Sequence, residues 1–287
     1  MKRNLKVYNI INLLVLIIAA FIFLKEYYDV ESLFKDKNIW HIILIIVVVF
    51  FVHLIKAGRL YLALYEYNID ICTYIKIYCK VTPISLVFPF KIGEFFRMYC
   101  YGMELESMLK SIVIIIFDRF MDTLALVTIL LLIIIFKGGY ISLFTYLLFL
   151  FLISILIIYL VYPGVYKFWK KYTIKSIATE RKLSVLKMLD LFNNIYLQII
   201  NVSKGRGVIF YCMSLIAWLC EIMGIVLLCG TTENINLNET LIDYLSSAMR
   251  KGSSIELQQF ILISIILMSL VYLMIKFYEL SIGKKGI

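Results

Sequence analysis

Long runs of apolar residues alternate with short charged segments along this chain. Six runs are long enough to cross a bilayer as helices, and they lie at about 8–24, 39–58, 111–136, 141–162, 208–230 and 257–280. About 20 apolar residues in a helix span the ~30 Å hydrocarbon layer, where a helix satisfies its own backbone hydrogen bonds. The strands of a membrane β-barrel would alternate polar and apolar residues, whereas Ile42 to Val52 is apolar throughout. The pattern predicts an all-α integral membrane protein, a polytopic helical bundle of about six full spans.

The composition agrees with that prediction. Of the 287 residues 63% are hydrophobic and 17% are charged, and the mean hydropathy is +0.94. Soluble domains carry about 25% charged residues, so we expect a multi-pass protein of the cell membrane, with 1–287 forming one membrane domain. The first run has the basic start of a signal peptide, but its end, Phe21 to Lys25, lacks the small residues of a cleavage site. We therefore expect it to remain as the first helix.

Several chemical functions find no support in the sequence. The six cysteines form no Cys-x-x-Cys pair, so neither a disulfide framework nor a zinc site is indicated, and no metal or other cofactor is predicted. The absence of a glycine-rich phosphate loop argues against ATP hydrolysis. The formal net charge of +10 suits loops that face anionic lipid, and no motif indicates a nucleic-acid partner.

A further apolar run, at about 71–90, decides the predicted topology because prolines interrupt it. Lys and Arg residues are concentrated at the N-terminus and in the segment 163–207. Inner loops carry the excess of Lys and Arg, and a full crossing at 71–90 would place these two basic regions on opposite sides. We therefore predict a re-entrant hairpin over about 71–100, with both termini in the cytoplasm. The residues predicted to form the hairpin are Pro83, Pro89 and Gly93.

The segment 163–207 is predicted to be a basic, amphipathic cytoplasmic region. Apolar residues recur at helical spacing along 183–202, and charged and amide side chains lie away from that face. Such a helix either lies along the inner membrane surface, with Trp169 and the neighbouring lysines at the headgroups, or extends a neighbouring span and packs on its partner. The sequence leaves both arrangements open.

Ionisable residues occur inside the predicted spans, where each costs at least ~2.5 kcal/mol on insertion scales. In the third span Asp118 and Asp122 share a helix face, with Arg119 beside them. The other members are His53, Lys56 and Arg59 near the inner end of the second span and Glu221 in the middle of the fifth. One interpretation is that these charges pair and lock the bundle, with the two cations of the second span reaching the inner interface and the histidine packed in the core.

A second interpretation is a phosphate site. Basic residues near the hairpin outnumber the acidic residues beside them, guanidinium groups hold phosphate oxygens in pairs, and helix N-termini add donors. The predicted phosphate contacts are Arg59, Lys91, Arg97 and Arg119. The predicted orienting or proton-coupling residues are Glu94, Asp118, Asp122 and Glu221. A polar pocket among apolar helices suits an amphiphile, so the predicted partner is an anionic lipid.

The same residues resemble a known family. A proline is followed by Gly-Glu-x-x-Arg, and about twenty residues later an acidic residue, Arg, two residues and Asp open a long span. This pattern resembles the membrane region of lysylphosphatidylglycerol synthases and their stand-alone, flippase-like relatives. The matching residues are Pro89, Gly93, Glu94, Arg97, Asp118, Arg119 and Asp122, together with Arg59, Trp218 and Glu221.

Two departures from the family pattern bear on function. The family usually has Glu at the position of Asp118, which is a mild change. It also tends to carry a second Pro- and Gly-rich re-entrant segment before its last span, of which 246–256 keeps only Gly252, Ser253 and Glu256. The sequence thus predicts one hairpin and leaves the second open.

The resemblance implies a role in moving lipid. Full-length synthases carry lysyl transfer in a soluble C-terminal domain, and this chain ends at Ile287, soon after the sixth run. We therefore expect no phosphatidylglycerol lysyltransferase activity, but a flippase-like protein that translocates an anionic phospholipid or a polyprenyl-phosphate-linked headgroup between leaflets. One alternative is a membrane transferase acting on a lipid-phosphate-linked sugar or amino acid, with Asp118 or Glu94 as general base. The other is a non-catalytic membrane partner of a lipid- or polysaccharide-modifying enzyme.

Overall fold

The computed structural model describes residues 5–27, 39–88, 92–137, 143–175, 180–229 and 255–283. Six of the helices within these ranges are long and apolar enough to cross a membrane, namely α1, α2, α5, α6, α8 and α9. The predicted all-α, polytopic membrane bundle is therefore confirmed. The helices are α1 (Leu5–Glu26), α2 (Ile39–Leu64), α3 (Ile71–Val87), α4 (Ile92–Glu104), α5 (Met108–Lys137), α6 (Leu143–Lys175), α7 (Glu180–Ser203), α8 (Gly207–Cys229) and α9 (Ile255–Gly283).

Helix α6 continues further than its apolar run. The run ends near residue 162, where Pro163 and the lysines after it lower the hydropathy, but the helix continues to Lys175. Its 33 residues make a rod of about 50 Å at about 1.5 Å per residue. Because the hydrocarbon layer is ~30 Å thick, the lysine-bearing end of α6 projects beyond it.

Helices α3 and α4 form a hairpin. Gly93 lies against the backbone of Ser85, and the rings of Tyr74 and Tyr101 are 6.0 Å apart. The start of α4 thus contacts the end of α3, and the end of α4 contacts the start of α3. The two helices are therefore antiparallel. They have 17 and 13 residues, and at about 1.5 Å per residue both are shorter than the ~30 Å hydrocarbon layer. These dimensions suit a hairpin that enters the layer without crossing it.

Both ends of the hairpin lie at one end of the bundle, which we call the hairpin end. Arg206, just before α8, pairs with Glu66, just after α2, at 3.1 Å. Lys76 near the start of α3 pairs with Glu279 near the end of α9 at 2.6 Å. Lys110 at the start of α5 lies 5.0 Å from the centre of a tyrosine ring that follows α2. The chain therefore enters and leaves the hairpin on one side, and the identity of that side as cytoplasmic stays a prediction.

Pro83 does not interrupt the helix, although the hairpin break was predicted there. It lies buried inside α3, which continues to Val87. A proline inside a helix removes one hydrogen bond to the residue four positions earlier, and packing of α3 against α4 and α9 maintains the helix around that gap. The turn instead follows Phe88. The remaining predicted elements of these regions, Pro89, Lys91 and the segment 246–254, lie outside the described residues.

Helix α7 packs along the second half of α6. The Tyr196 ring lies 5.2 Å from the Tyr159 ring and 5.0 Å from the Tyr162 ring. The Lys170 ammonium lies 3.4 Å from a carboxylate oxygen of Asp190. The amphipathic segment therefore packs on a neighbouring span, and it also contacts α5. Its depth in the membrane stays a prediction.

Among the helices that the structure describes, α2 and α8 make the most extensive contact. A stripe of small residues on α8 allows this contact, since Ser214 and Ala217 are fully buried and a Cβ atom on Gly224 would lie 3.3 Å from a Val48 methyl group. Small side chains let membrane helices approach closely. This approach brings the ionisable residues of α2 and α8 within reach of each other.

Candidate functional site

Arg59 on α2 is the centre of a buried ion-pair network. Its Nε and Nη2 atoms donate to the two carboxylate oxygens of Asp118 at 2.7 and 3.0 Å. Its Nη1 atom donates to Asp122 at 2.6 Å and to the Ser214 hydroxyl at 2.6 Å. The Arg59 side chain is only 1% exposed. Two-point pairing between a guanidinium and a carboxylate is among the strongest protein hydrogen bonding, so Arg59 is held firmly with all three nitrogens engaged.

The spacing of the two aspartates explains how a single arginine reaches both. Asp118 and Asp122 are four positions apart on α5, so their side chains lie one above the other on one helix face. That face is turned toward α2 and α8. The pairing predicted as one interpretation of these charges is thus present between helices.

A second ion pair joins α2 to α8. The Lys56 ammonium lies 2.5 Å from a Glu221 carboxylate oxygen, and the side chains are 17% and 3% exposed. Lys56 also lies 5.6 Å from the centre of the Trp218 ring, whose Nε1 donates to the backbone carbonyl of Asp122 at 3.0 Å. The two cations of α2 therefore pair with carboxylates inside the bundle.

The hairpin contributes a third part of the network. Glu94 in the first turn of α4 lies 3.3 Å from Arg97 Nη1 and 3.3 Å from Arg119 Nε on α5. Arg119 also faces Asp118 at 3.9 Å and Asp122 at 3.7 Å. The Arg119 side chain is 33% exposed, whereas Arg97 is 6% exposed. Arg119 is thus the most exposed of these paired residues, and its contacts are the longest.

The close packing of the hairpin places Glu94 at the network. A Cβ atom on Gly93 would lie 2.9 Å from the Ser85 nitrogen and 3.0 Å from the Ile84 carbonyl oxygen. Those distances leave no room for a side chain, so the approach of α4 to α3 requires glycine. Gly93 is the second residue of α4, so it contributes to the hairpin through this close contact between the two helices.

A comparison with known protein families identifies the chain. The model of the family described as the lysylphosphatidylglycerol synthase TM region matches residues 9–234. The chain belongs to this family. Neither a search of curated proteins nor a search of solved structures finds a match.

The lysylphosphatidylglycerol synthase TM region is a membrane family related to lipid modification or flipping. The matched residues contain every paired member of the network, from Lys56 on α2 to Glu221 on α8, whereas α9 lies beyond them. The predicted resemblance to this family is therefore confirmed.

The charges balance among the residues that the structure describes. The basic members of the network are Lys56, Arg59, Arg97 and Arg119, and the acidic members are Glu94, Asp118, Asp122 and Glu221. The predicted surplus of positive charge therefore depends on Lys91, which lies outside the described ranges.

Tyrosines of the hairpin complete the surroundings of the site, and the sequence reasoning missed them. The Tyr78 hydroxyl donates to the His53 carbonyl at 3.3 Å, and the Tyr74 hydroxyl donates to the Ala57 carbonyl at 2.5 Å. Both ring nitrogens of His53 and the hydroxyl of Tyr101 are buried without a hydrogen-bond partner among the described residues. The spacing of Tyr74 and Tyr78, one helical turn apart, was the available signal that α3 turns a polar edge toward α2.

Proposed function

We propose that the chain binds the phosphate of an anionic lipid between the α3–α4 hairpin and α5, and that it translocates this lipid between leaflets. The lipid is a phospholipid or a polyprenyl-phosphate-linked lipid. The observation that carries the proposal is the exposure of Arg119. This residue belongs to a buried network, yet its side chain is 33% exposed. The Nε atom of Arg119 is buried without a hydrogen-bond partner among the described residues. A partly exposed guanidinium that is not fully hydrogen-bonded can accept an anionic headgroup as a partner.

Arg119 and Arg59 differ in how firmly they are held. Arg59 donates to its acceptors at 2.6–3.0 Å, whereas the carboxylate contacts of Arg119 lie at 3.3–3.9 Å. Charge-assisted hydrogen bonds between nitrogen and oxygen lie at about 2.7–2.9 Å. A phosphate therefore replaces the contacts of Arg119 at little cost, while displacing those of Arg59 would break short hydrogen bonds.

Arg97 is the second proposed contact, and Glu94 is the group that the phosphate displaces. Glu94 lies 3.3 Å from both arginines, so its withdrawal frees two guanidinium groups at once. It stands in the first turn of α4, where backbone N–H groups and the helix dipole also favour an anion. Lys91, just before α4, stays the proposed third contact.

We assign Arg59 a positioning role in this proposal. Its three nitrogens hold Asp118 and Asp122, and these aspartates in turn face Arg119. Glu221 is paired with Lys56 and supports the α2–α8 contact. The two aspartates orient Arg119, as predicted for them, and Glu94 is the carboxylate that exchanges with ligand.

The transferase alternative receives less support. A general base has to be free to take a proton from the acceptor hydroxyl. Asp118 accepts two hydrogen bonds from Arg59, and Glu94 lies between two arginines. Both carboxylates are therefore already engaged by guanidinium groups, so the geometry favours anion binding.

The proposal is tested with proteoliposomes that contain fluorescent phosphatidylglycerol in both leaflets. Dithionite added outside destroys only the outer fluorescence unless lipid from the inner leaflet moves out. We expect the parent chain to accelerate loss of the inner fraction over protein-free vesicles. Arg119→Gln should slow that loss about tenfold or more, because a hydrogen bond to a charged group contributes about 1.5–3 kcal/mol.

The matched control is Arg206→Gln, which removes an arginine from the ion pair with Glu66 at the hairpin end. This variant should translocate lipid like the parent. Equal rates for Arg119→Gln and the parent would overturn the assignment of the site. If the parent chain binds this lipid but loses inner-leaflet fluorescence no faster than empty vesicles, the function is restricted to binding.

A further inference from the structure

The lysine-bearing end of α6 carries a basic groove that is separate from the charged network. The groove has a volume of about 410 Å³. We propose that this groove, with the apolar side of α6 that leads to it, binds one anionic phospholipid at the bilayer surface. The lysines hold the phosphate, and an acyl chain lies along the helix. The groove is lined by Tyr166, Lys167, Lys170, Lys171, Ile174 and Lys175.

The lysines of the groove are poorly neutralised. Lys170 is held by the Tyr166 hydroxyl at 2.7 Å and by Asp190 at 3.4 Å. Lys167 and Lys171 are exposed, lie four positions apart on one side of α6, and have no carboxylate partner in the part of the chain that the structure describes. Neighbouring ammonium groups repel one another unless an anion lies between them. The groove therefore favours a phosphate.

An apolar path leads along α6 to these lysines. Ile157, Leu160 and Gly164 follow one another at spacings of three and four positions, and Lys167 and Lys171 continue the same side of the helix. Ile157 is 54% and Leu160 74% exposed. A Cβ atom on Gly164 would meet nothing within 4 Å, so an acyl chain can lie directly on the backbone there. A soluble anion would use only the lysines, whereas this path suits a molecule with a long apolar chain.

The depth of the groove matches a lipid headgroup. On the other side of the same turns, Phe168 and Trp169 pack around Tyr172, with ring centres 6.5 and 6.0 Å from it. All three rings are largely exposed. Exposed aromatic residues of this kind gather where the hydrocarbon layer meets the headgroups. Basic residues at that level attract anionic lipids.

The groove is also accessible from the bilayer. Helix α6 is the least buried of the six candidate spans. Of the six groove residues, four are lysines, and Asp190 is the one carboxylate paired with them among the residues that the structure describes. An anionic phospholipid from the surrounding leaflet supplies a negative charge for the lysines and an acyl chain that covers the apolar path.

Native mass spectrometry of the purified chain tests the proposal, with dioleoyl phosphatidylglycerol or dioleoyl phosphatidylcholine added in detergent. The parent should retain more phosphatidylglycerol than phosphatidylcholine. Lys167→Gln with Lys171→Gln should lower the retained phosphatidylglycerol by one molecule per chain. The matched control, Lys187→Gln with Lys204→Gln, removes the same charge from exposed positions outside the groove and should leave the count unchanged.

Several outcomes would overturn the proposal. Equal losses in both double variants would indicate diffuse attraction to the basic region, and an unchanged count in the groove variant would exclude the site. Displacement of the lipid by glycerol phosphate at equal concentration would show that the apolar path contributes nothing. Conversion of a dimer to a monomer by the groove variant would assign the surface to a second copy. Because Arg119→Gln leaves the groove intact, adding the two groove substitutions to that variant should still lower its retained phosphatidylglycerol by one molecule per chain, whatever happens to translocation.

Discussion

The Nη1 atom of Arg59 lies 2.6 Å from Oδ1 of Asp122, although 63 positions of the chain separate the two residues. The contact joins the hairpin-end part of α2 to the first half of α5. Neither charge is stable alone in a hydrocarbon layer, since a charged side chain costs at least ~2.5 kcal/mol there. The two helices therefore stabilise each other's charges when they pack, and this pairing fixes the aspartates that face Arg119.

Loss of Arg59 should destabilise the bundle. Arg59→Gln leaves Asp118 and Asp122 buried without their main cation, and breaking a buried ion pair costs about 3–5 kcal/mol. Arg206→Gln removes an arginine from a partly exposed pair, which costs at most about 1 kcal/mol. Unfolding in detergent, followed by circular dichroism, measures both variants. An Arg59→Gln chain as stable as the Arg206→Gln chain would contradict the role given to Arg59.

The Lys56–Glu221 pair should show strong coupling in a double-mutant cycle. Lys56→Met leaves the Glu221 carboxylate, which is 3% exposed, without its cation. Glu221→Met leaves the Lys56 ammonium without its carboxylate. Each single change should therefore cost several kcal/mol, while the double change should cost less than their sum by about 1–3 kcal/mol. The free energies of unfolding of the four chains give the coupling. Additive effects would mean that the two groups do not interact.

A side chain at position 93 should separate the hairpin helices. Gly93→Ala places a Cβ atom against the backbone of Ser85 and Ile84, and overpacking of this kind costs about 1–3 kcal/mol. Gly207→Ala is the matched control, because a Cβ atom there meets nothing within 4 Å. We expect lower stability and slower lipid translocation for Gly93→Ala only. Parent-like behaviour of both variants would show that α3 and α4 can move apart freely.

The hairpin end should face the cytoplasm. Glu106→Cys, after the hairpin, and Lys187→Cys on α7 place single thiols at exposed positions of that end, in a chain whose native cysteines have been replaced. A membrane-impermeant maleimide should label both only after the cells are opened, because the basic segments of membrane proteins stay inside. Labelling of either position on intact cells would reverse the predicted orientation.

Local features of the sequence predicted the class of fold well. The apolar runs predicted six spans, and the structure has six helices of the required length within the described ranges. The two helical elements at 71–87 and 92–104 also agree with the hairpin expected over about 71–100. Helix ends were less predictable. Pro83 lies inside α3, and α6 continues to Lys175, because packing against neighbours maintains a helix where hydropathy and proline alone indicate its end.

The charged site was predictable as a list of residues but not as a set of partners. The spacing of Asp118 and Asp122 and the Gly93–Glu94–Arg97 motif are local, so they are readable directly. The division of labour between Arg59 and Arg119 is not local. It depends on differences of a few tenths of an ångström among contacts that join four helices, and no single segment of the sequence contains those contacts.

The sequence by itself determined that this is an all-α membrane protein of the lysylphosphatidylglycerol synthase TM family, because hydropathy, helical spacing and the motif are properties of short segments. The tertiary structure decided which carboxylate neutralises which cation, and it left Arg119 loosely held and Arg59 saturated. The physical reason is that charge pairing in a bilayer falls off steeply with distance and exposure, and both are set only when the helices pack.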